Sequence, residues 1–341
     1  MRNVLTYSAL NTFRNCPRKY QLRYIECLRR PERPEALAFG SVIHDALERW
    51  HKLQGETNRL LKVLDRIDEQ FPDRDHDPAI RRIWHLARAM FEGYAARYPS
   101  ESFEIIEVEK EFTAPIINPD TGRASQTFVI AGKADGIVRL DGDLYLLEHK
   151  TASNITSDYL DRLWTDTQIA LYSHYLRQLG YPIVGVIYNV LLKTRLKQHQ
   201  GETLEEYEER RAVLAARNKT GRSKARRKLP ESDVEFRARL ADWYAQPEAF
   251  HRERIYLSED RMALLTEEVW QITQQYLDAK RRGKWLLNTS QCFSFQRACE
   301  YLPYCQSGFN PNVRDNLFEA ARPHEELTPL TVSAATDHAP F

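Results

Sequence analysis

The sequence has 341 residues, of which 42% are hydrophobic and 28% charged, and its formal net charge is +1. This composition is typical of a globular protein with a sizeable core, and the near-zero charge excludes binding of a polyanion through bulk charge alone. No apolar run approaches the roughly 18 residues that span a bilayer, and the first residues lack the apolar segment of a signal peptide. We therefore expect a cytoplasmic protein without membrane segments, whose thiols are reduced.

Residues 1–99 are predicted to be mainly helical. Ser8 can cap a first helix, and the segment SVIHDALERWHKL, which begins at Ser41, places its apolar residues on one helical face. In this second helix His44 lies beside the apolar face, and Glu48 and His51 follow at helical spacing.

Three strands and a helix are predicted next. FEIIEVEKEFTAP alternates like a strand, and the strands QTFVIAGKADGIVRL and DLYLLEHKT are joined by Asp141-Gly142, a strong signal for a two-residue hairpin turn. YLDRLWTDTQIALYSHYLRQL reads as one helix that ends at Gly180, and YPIVGVIYNVLLK as a strand covered on both faces. This order predicts an α/β core over about residues 100–195, with a central mixed β-sheet flanked by helices.

The rest of the chain is predicted to contain a charged insertion, helices and a tail. Residues 200–230 form the insertion, which we expect to be flexible; helices resume in a C-terminal segment over 231–310 that also holds three cysteines, and 318–341 are expected to be a disordered tail. The basic half of the insertion could contact phosphates or could form a solvated loop. Its basic residues are Arg217, Lys219, Arg222, Lys224, Arg226, Arg227 and Lys228.

The predicted hairpin places two carboxylates opposite each other. If Leu140 pairs with Asp143 across a two-residue turn, Asp135 faces Glu148, with Cβ atoms about 4.5–5.5 Å apart. Lys150 projects from the same face of the strand as Glu148. A divalent cation, Mg²⁺ or Mn²⁺, would offset the repulsion between the carboxylates and polarise a phosphate. The alternative is an exposed set of cross-strand ion pairs, and a three-residue turn would shift the register by one.

Asp135 and the tripeptide EHK at residues 148–150 resemble the D…(D/E)-x-K signature of the PD-(D/E)XK nuclease superfamily, with Ala134 in place of the usual proline. The resemblance implies a restriction-endonuclease-like core and metal-dependent hydrolysis of DNA phosphodiester bonds. It also implies that Asp135, Glu148 and the backbone carbonyl of His149 bind one or two Mg²⁺ or Mn²⁺ ions. Lys150 would then orient, or help to deprotonate, the attacking water.

Three further residues resemble the RecB-type branch of this superfamily. His44 resembles its histidine metal ligand on an early helix, and Gln168 and Tyr172 match its Q-x-x-x-Y motif on the helix after the active-site strands. The branch implies exonuclease activity on single-stranded DNA or duplex ends, with Gln168 and Tyr172 positioning the catalytic lysine and the DNA backbone. Glu109 or Glu111, on the first strand, could add a metal ligand. Residues 1–310 would form a single nuclease domain.

Four of the five cysteines are candidate ligands of a metal cluster. Cys292, Cys299 and Cys305 are spaced C-x6-C-x5-C, and Cys16 lies near the N-terminus. They resemble the iron–sulfur nucleases of the RecB-type branch, the AddB subunit and a CRISPR-associated nuclease, in which one N-terminal and three C-terminal cysteines hold a [4Fe–4S] cluster. The first C-terminal gap is longer than the usual two residues. Zinc and unliganded core cysteines are the alternatives, and Cys27 would remain a buried thiol.

DNA is the expected partner, and its unwinding would require another protein. The sequence contains no G-x-x-x-x-G-K-[ST] motif, so a helicase, recombination or CRISPR partner would supply that step. A non-catalytic DNA-binding scaffold and a structure-specific endonuclease of the same fold are the alternatives. The presence of Asp135, Glu148 and Lys150 together argues against the scaffold.

Overall fold

The computed structural model describes residues 2–31, 35–294 and 297–328. The strands, in chain order, are β1 (Asn3–Leu5), β2 (Leu28–Arg29), β3 (Glu104–Ile117), β4 (Ala124–Leu140), β5 (Asp143–Ala152), β6 (Ile183–Leu192), β7 (Phe250–Tyr256), β8 (Phe293–Ser294), β9 (Arg297–Ala298) and β10 (Glu319–Ala320). The α-helices are α1 (Tyr7–Asn15), α2 (Pro17–Tyr20), α3 (Glu35–Lys52), α4 (Arg59–Glu69), α5 (Pro78–Arg97), α6 (Ser157–Leu163), α7 (Thr167–Gln178), α8 (Leu204–Arg217), α9 (Asp233–Tyr244), α10 (Glu259–Arg282), α11 (Leu302–Gln306) and α12 (Pro311–Leu317). A π-helix spans Gln21–Ile25, and single 3₁₀ turns span Pro247–Ala249 and Thr289–Gln291.

The central sheet is mixed, and β4 pairs along both of its edges. One edge pairs with β3, antiparallel. The other edge pairs with β1, in parallel, at Phe128–Ile130, and with β5, antiparallel, from Gly136 onwards. Strand β6 lies parallel to β5, and β7 lies antiparallel to β6. This arrangement confirms the predicted α/β class, and it leaves Asp135 on the stretch of β4 between its two partners.

Helices cover both faces of the sheet. On one face α1, α7 and α10 pack through a core cluster that includes Phe128 and Tyr276. On the other face α3, α4, α5 and α9 form a second cluster around Phe91. Neighbouring residues of β6 belong to different clusters, Val190 to the first and Leu191 to the second, because side chains alternate along a strand. No described helix is long and apolar enough to cross a bilayer.

The hairpin between β4 and β5 has the predicted register. Asp141 and Gly142 both have positive φ, 55° and 94°, as a two-residue turn requires. Leu140 pairs with Asp143, and the ladder continues in register to Gly136 opposite Leu147. The next pair in this register is Asp135 and Glu148.

Three elements differ from their predictions. Thr6 caps α1, where Ser8 was expected, and accepts a hydrogen bond from the amide of Ala9. The helix predicted after β5 is two helices, because the side chain of Asp166 caps a new one by accepting from the amide of Gln168. The strand β7 was not predicted, since charged residues occupy most of its centre.

The insertion at residues 200–230 is more ordered than expected. It contains α8, whose first turn is closed by a capping box between Thr203 and Glu206. Glu202 accepts hydrogen bonds from the Arg210 side chain and from the amide of Lys228, which ties the basic stretch to the base of this helix. The prediction of a flexible insertion was therefore wrong for this helix and its base.

The expected disorder from residue 318 is also wrong for residues 318–328. Strand β10 pairs with β2, and the side chain of Leu327 is buried against Val4 and Val129. The hydroxyl of Thr6 donates to Glu326 at 2.7 Å, which adds a polar contact to this packing. Residues 329–341 of the predicted tail lie outside the described residues.

Two helical glycines are expected to respond oppositely to alanine. A Cβ at Gly93 in α5 would lie 2.6 Å from Cβ and 3.0 Å from the carbonyl oxygen of Tyr244 in α9, so Gly93→Ala should lower the free energy of unfolding by about 1–3 kcal/mol. Among the described residues, the nearest atom to a Cβ at Gly40 in α3 is Thr151 Oγ1, at 3.6 Å. Gly40→Ala should therefore raise the free energy of unfolding by about 0.5–1 kcal/mol. Urea unfolding measures both, and equal shifts of the same sign would contradict this account of the packing.

Candidate active site

Asp135 and Glu148 lie where β4 and β5 separate. The backbone ladder ends at Gly136 and Leu147, one position before the two carboxylates. The amide of His149 therefore has no backbone acceptor on β4, and it donates to Asp135 Oδ2 at 2.8 Å. The Asp135 side chain thus replaces a ladder bond, and its carboxylate is directed toward β5.

Glu148 and Lys150 form a close pair in a largely buried position. Lys150 Nζ lies 2.5 Å from Glu148 Oε1, and the Glu148 side chain is only 5% exposed. The alternative of an exposed cross-strand ion-pair set is therefore excluded, because an exposed pair would leave both groups in water.

The two carboxyl groups have opposite pKa shifts. Burial and the nearby charge of Asp135 raise the pKa of Glu148 to about 7, although Lys150 and His44 act to lower it. Burial also acts to raise the pKa of Asp135, but His44 and the amide and ring of His149 hold it well below its usual value. Two close carboxylates repel each other, so one of them binds a proton more readily than the other. In this site that group is Glu148.

Lys150 is held in its charged form. Burial lowers its pKa, but Glu148 and Asp166 more than offset this, so its pKa lies above the ordinary value. Asp166 is a residue that was not predicted from the sequence: it caps α7. Burial raises the pKa of Tyr188, and the charge of Asp166 adds to that shift. Its position directly before the Q-x-x-x-Y helix was the available signal, since Asp is a preferred N-cap residue.

His44, the predicted metal ligand of the early helix, lies beside Asp135. Its Nδ1 is 3.4 Å from Asp135 Oδ2. Burial lowers the pKa of His44, but the Asp135 carboxylate offsets this and leaves the pKa above its ordinary value. The helix α3 thus brings a nitrogen donor to the place where β4 and β5 separate.

Gln168 and Tyr172 also reach this place from α7. Gln168 lies one helical turn before Tyr172 on α7, and the Tyr172 ring is buried edge-to-face against Phe112 at 5.3 Å between centroids. Burial raises the pKa of Tyr172, and Glu148 is the charge that adds most to the shift. Both residues therefore adjoin the Glu148 side of the site.

The structure distinguishes Glu109 from Glu111, which the sequence did not. Glu109 is ion-paired with Lys133, and burial raises its pKa, with Asp135 among the charges that add to the shift. Glu111 instead accepts hydrogen bonds from the amide and hydroxyl of Thr328. Glu109 is the glutamate of β3 that lies near the site.

The seven basic residues of the insertion are all exposed. Within the described part of the chain, none of their side chains forms a hydrogen bond or ion pair with the residues of the site. The structure therefore does not join this basic stretch to the carboxylates.

The four predicted cluster cysteines come together although they are far apart in sequence. Cys16 caps α2, and the amide of Cys299 donates to the carbonyl of Cys292 at 2.8 Å. Burial raises the pKa of Cys305 to about 11, and the thiols of Cys299, Cys16 and Cys292 add to the shift. All are free thiols. The fifth, Cys27, is half-buried rather than buried as predicted, and its Sγ lies 3.9 Å from the carbonyl of Ile25.

The donor types fit two different metals. Within residues 2–31, 35–294 and 297–328, no group of three or more His, Cys, Asp or Glu side chains is arranged so that it could hold a metal ion. Oxygen donors and one imidazole at Asp135, Glu148 and His44 suit Mg²⁺ or Mn²⁺, and a set of four thiols suits iron–sulfur or zinc. The side chains at the first site are engaged instead with Lys150 and the His149 amide.

One comparison with known proteins, a match to a family model, agrees with these features. The sequence pattern of the PD-(D/E)XK nuclease superfamily matches residues 4–306. No curated protein sequence matches the chain. A solved structure described as the crystal structure of SSO0001 aligns with 68% of this chain and 74% of its own, at 15% identity and a TM-score of 0.27. Since the superfamily match spans nearly the whole described chain and includes the carboxylate and lysine positions, the protein belongs to the PD-(D/E)XK nuclease superfamily.

Proposed function

We propose that this protein is a metal-dependent DNA exonuclease whose chemistry takes place at Asp135, Glu148 and Lys150. The observation that carries the proposal is that the buried Glu148 carboxyl group lies together with the partly buried Asp135 and Lys150 where β4 and β5 separate. Burying like charges together is costly, and a divalent cation between them removes that cost. A DNA-binding scaffold would have no need for this arrangement.

Asp135, Glu148, His44 and the backbone carbonyl of His149 would hold one or two Mg²⁺ or Mn²⁺ ions. When bound, such a cation polarises the scissile phosphate and lowers the pKa of water. Lys150 would donate a hydrogen bond to the attacking water and stabilise the charge that develops on the phosphate. Its raised pKa favours this role over proton removal, because a protonated amine cannot accept a proton.

Gln168 and Tyr172 would hold the Lys150 side of the site in place. The edge-to-face packing of Tyr172 on Phe112 restricts the tyrosine, and Gln168 lies one helical turn before it on α7. We propose that they position Lys150 and the DNA backbone, with Asp166 as an added electrostatic partner of the lysine.

Exonuclease activity is tested by comparing linear and closed substrates. Single-stranded DNA and linear duplex, labelled at the 5′ or 3′ end, are incubated with Mn²⁺ beside covalently closed circles of the same sequence. We expect degradation of the linear DNA only, and the label that is released first gives the polarity. Cleavage of closed circles at a comparable rate would instead support a structure-specific endonuclease.

The four thiols support a [4Fe–4S] cluster as a structural cofactor. Cys16 belongs to the N-terminal helices and the other three ligands to the segment after α10, so a cluster would connect the two ends of the domain. The first core cluster supports a single domain over residues 1–310, since it joins Leu5 to Trp285. Zinc is the alternative metal, because four thiolates suit both.

We also propose that the protein is cytoplasmic and that a helicase or other partner unwinds its DNA.

The basic stretch is proposed to contact the DNA backbone. Replacing Arg222, Lys224 and Arg226 by Gln should weaken single-stranded DNA binding and reduce the slope of log affinity against log salt by about 2, at about 0.7 for each phosphate contact. Fluorescence anisotropy across a salt series measures this slope. The matched control is the exposed triplet KRR at residues 280–282, at the end of α10, changed in the same way. Equal slopes in the two triple variants would rule out a specific role for the insertion.

A further inference from the structure

The ring of His149 is fixed on the sheet face opposite Glu148 and Lys150. It is 3% exposed, and it stacks on the ring of His51 with centroids 5.3 Å apart and an angle of 6° between planes. At its edge, Asn189 Nδ2 lies 3.0 Å from His149 Nδ1. Since the amide nitrogen can only donate, Nδ1 is the acceptor and the ring proton is on Nε2.

Arg252 on β7 determines which way the Asn189 amide points. Its Nε donates to Asn189 Oδ1 at 3.3 Å, which leaves the amide nitrogen to face His149. Arg252 is itself held on three further sides. Its Nη2 donates to the hydroxyl of Tyr94 at 3.1 Å, and its guanidinium lies 3.6 Å above the ring centroid of Tyr98. Its Nη1 is 2.7 Å from Glu101 Oε2, as an ion pair rather than an aligned hydrogen bond.

Stability alone gives little reason for this buried pair. The Glu101 side chain is 1% exposed and that of Arg252 18%, and a buried ion pair often contributes no more stability than apolar residues of the same volume. The chain of contacts ends at the His149 ring, and the amide of the same residue donates to Asp135. The contacts that hold the ring therefore also limit displacement of the backbone of His149, whose amide orients the Asp135 carboxylate.

We propose that Arg252 and Asn189 are positioning residues, which fix the His149 ring and through it the peptide beside Asp135. The inference rests on the proposed function, because the geometry that they hold is that of the proposed metal site. Outer contacts of this kind typically change metal affinity or activity by about 10–100-fold.

The test compares substitutions that break the chain of contacts with one that preserves it. Arg252→Met and Asn189→Leu are each expected to weaken Mn²⁺ binding, measured by calorimetry, by about 10–100-fold and to lower kcat with the KM for DNA unchanged. Asn189→Asp should restore most of both, because its carboxylate accepts from Arg252 and, in the other tautomer, from His149 Nδ1–H. Arg254→Met is the matched control on the same strand, where the side chain is 41% exposed and faces Asp141.

The possible outcomes separate this inference from the proposed function. A wild-type protein that neither binds Mn²⁺ nor cleaves DNA overturns the proposed function, and the inference with it. Normal Mn²⁺ affinity and kcat in Asn189→Leu, even with a lower melting temperature, overturns the inference alone and assigns these residues a structural role. If Arg252→Met does not fold, the proposal is tested by comparing Asn189→Leu with Asn189→Asp. An equal loss of Mn²⁺ affinity and kcat in these two variants also counts against the proposal.

Discussion

The Glu148→Gln and Lys150→Ala variants are each expected to cleave DNA at least about 100-fold more slowly than the wild-type protein. Glu148→Gln keeps the shape of the side chain but removes a carboxylate that would bind the cation. Lys150→Ala removes the ammonium that lies 2.5 Å from Glu148 Oε1. Folding should survive both changes. In Lys150→Ala the pKa of Glu148, about 7 in the folded protein, allows this carboxyl group to become neutral, and in Glu148→Gln the Lys150 side chain, which is 29% exposed, can be hydrated. Single-turnover cleavage of end-labelled single-stranded DNA at saturating Mn²⁺ measures the effect.

A matched control lies on β3 of the same sheet. Glu104 is also paired with a basic residue, Arg139, at 2.8 Å, but its side chain is 63% exposed. Glu104→Gln should therefore cleave DNA like the wild type, and circular dichroism should show all three variants folded. Activity near that of the wild type in either Glu148→Gln or Lys150→Ala would rule out the assignment of the site.

The Cys16→Ser and Cys305→Ser variants are expected to lose the cluster and several kcal/mol of stability. Each removes one member of the group of four thiols, which consists of Cys305 and the three thiols that add to its pKa shift. Because the cysteines come from both ends of the described chain, loss of the cluster should loosen the packing between α2 and the segment around α11. Anaerobic purification, visible absorbance and analysis of iron, sulfide and zinc measure the first effect, and thermal unfolding measures the second.

Cys27→Ser provides the control for the cysteine variants. Its thiol contacts the carbonyl of Ile25 and is not among the thiols that shift the pKa of Cys305. We expect unchanged metal content and stability in this variant. If the wild-type protein contains zinc and no iron, the four thiols bind zinc rather than an iron–sulfur cluster. If Cys16→Ser contains as much metal as the wild type, Cys16 is not a ligand.

The hairpin that carries the carboxylates was predictable because its signals are local. The turn type follows from two residues, Asp141 and Gly142, and the register of every later pair follows from the turn. The same arithmetic placed Asp135 opposite Glu148, although the backbone ladder ends one pair earlier. The helices of the core were likewise readable from their apolar spacing.

Other parts of the fold depend on contacts that a single sequence does not reveal. Strand β7 shows no clear alternation of apolar and polar residues. One of its arginines, Arg252, is held in a buried network, whereas Arg254 on the same strand is partly exposed. The segment after residue 318 has a composition typical of a tail, but Leu327 inserts beside Val129 of β4. In both cases tertiary contacts override the local pattern.

The site shows the same division. The residues that match short motifs were predicted, and the structure brings His44 and Asp135 within 3.4 Å. Asp166 and the network behind His149 were missed, and Glu109 was not distinguished from Glu111, because each of these contacts joins elements that are distant in sequence. Such partners become visible only when the strands and helices are assembled.

The most direct test of the central claim is the cleavage of end-labelled single-stranded DNA by the wild-type protein, with Mn²⁺ and with EDTA. The anaerobically purified protein is used, so that a cluster is retained. We predict progressive shortening of the DNA with Mn²⁺ and none with EDTA, since Asp135 and Glu148 require a cation to act on a phosphate. DNA that stays intact with Mn²⁺, while the protein is folded and contains its metal, would contradict catalysis and favour the DNA-binding scaffold.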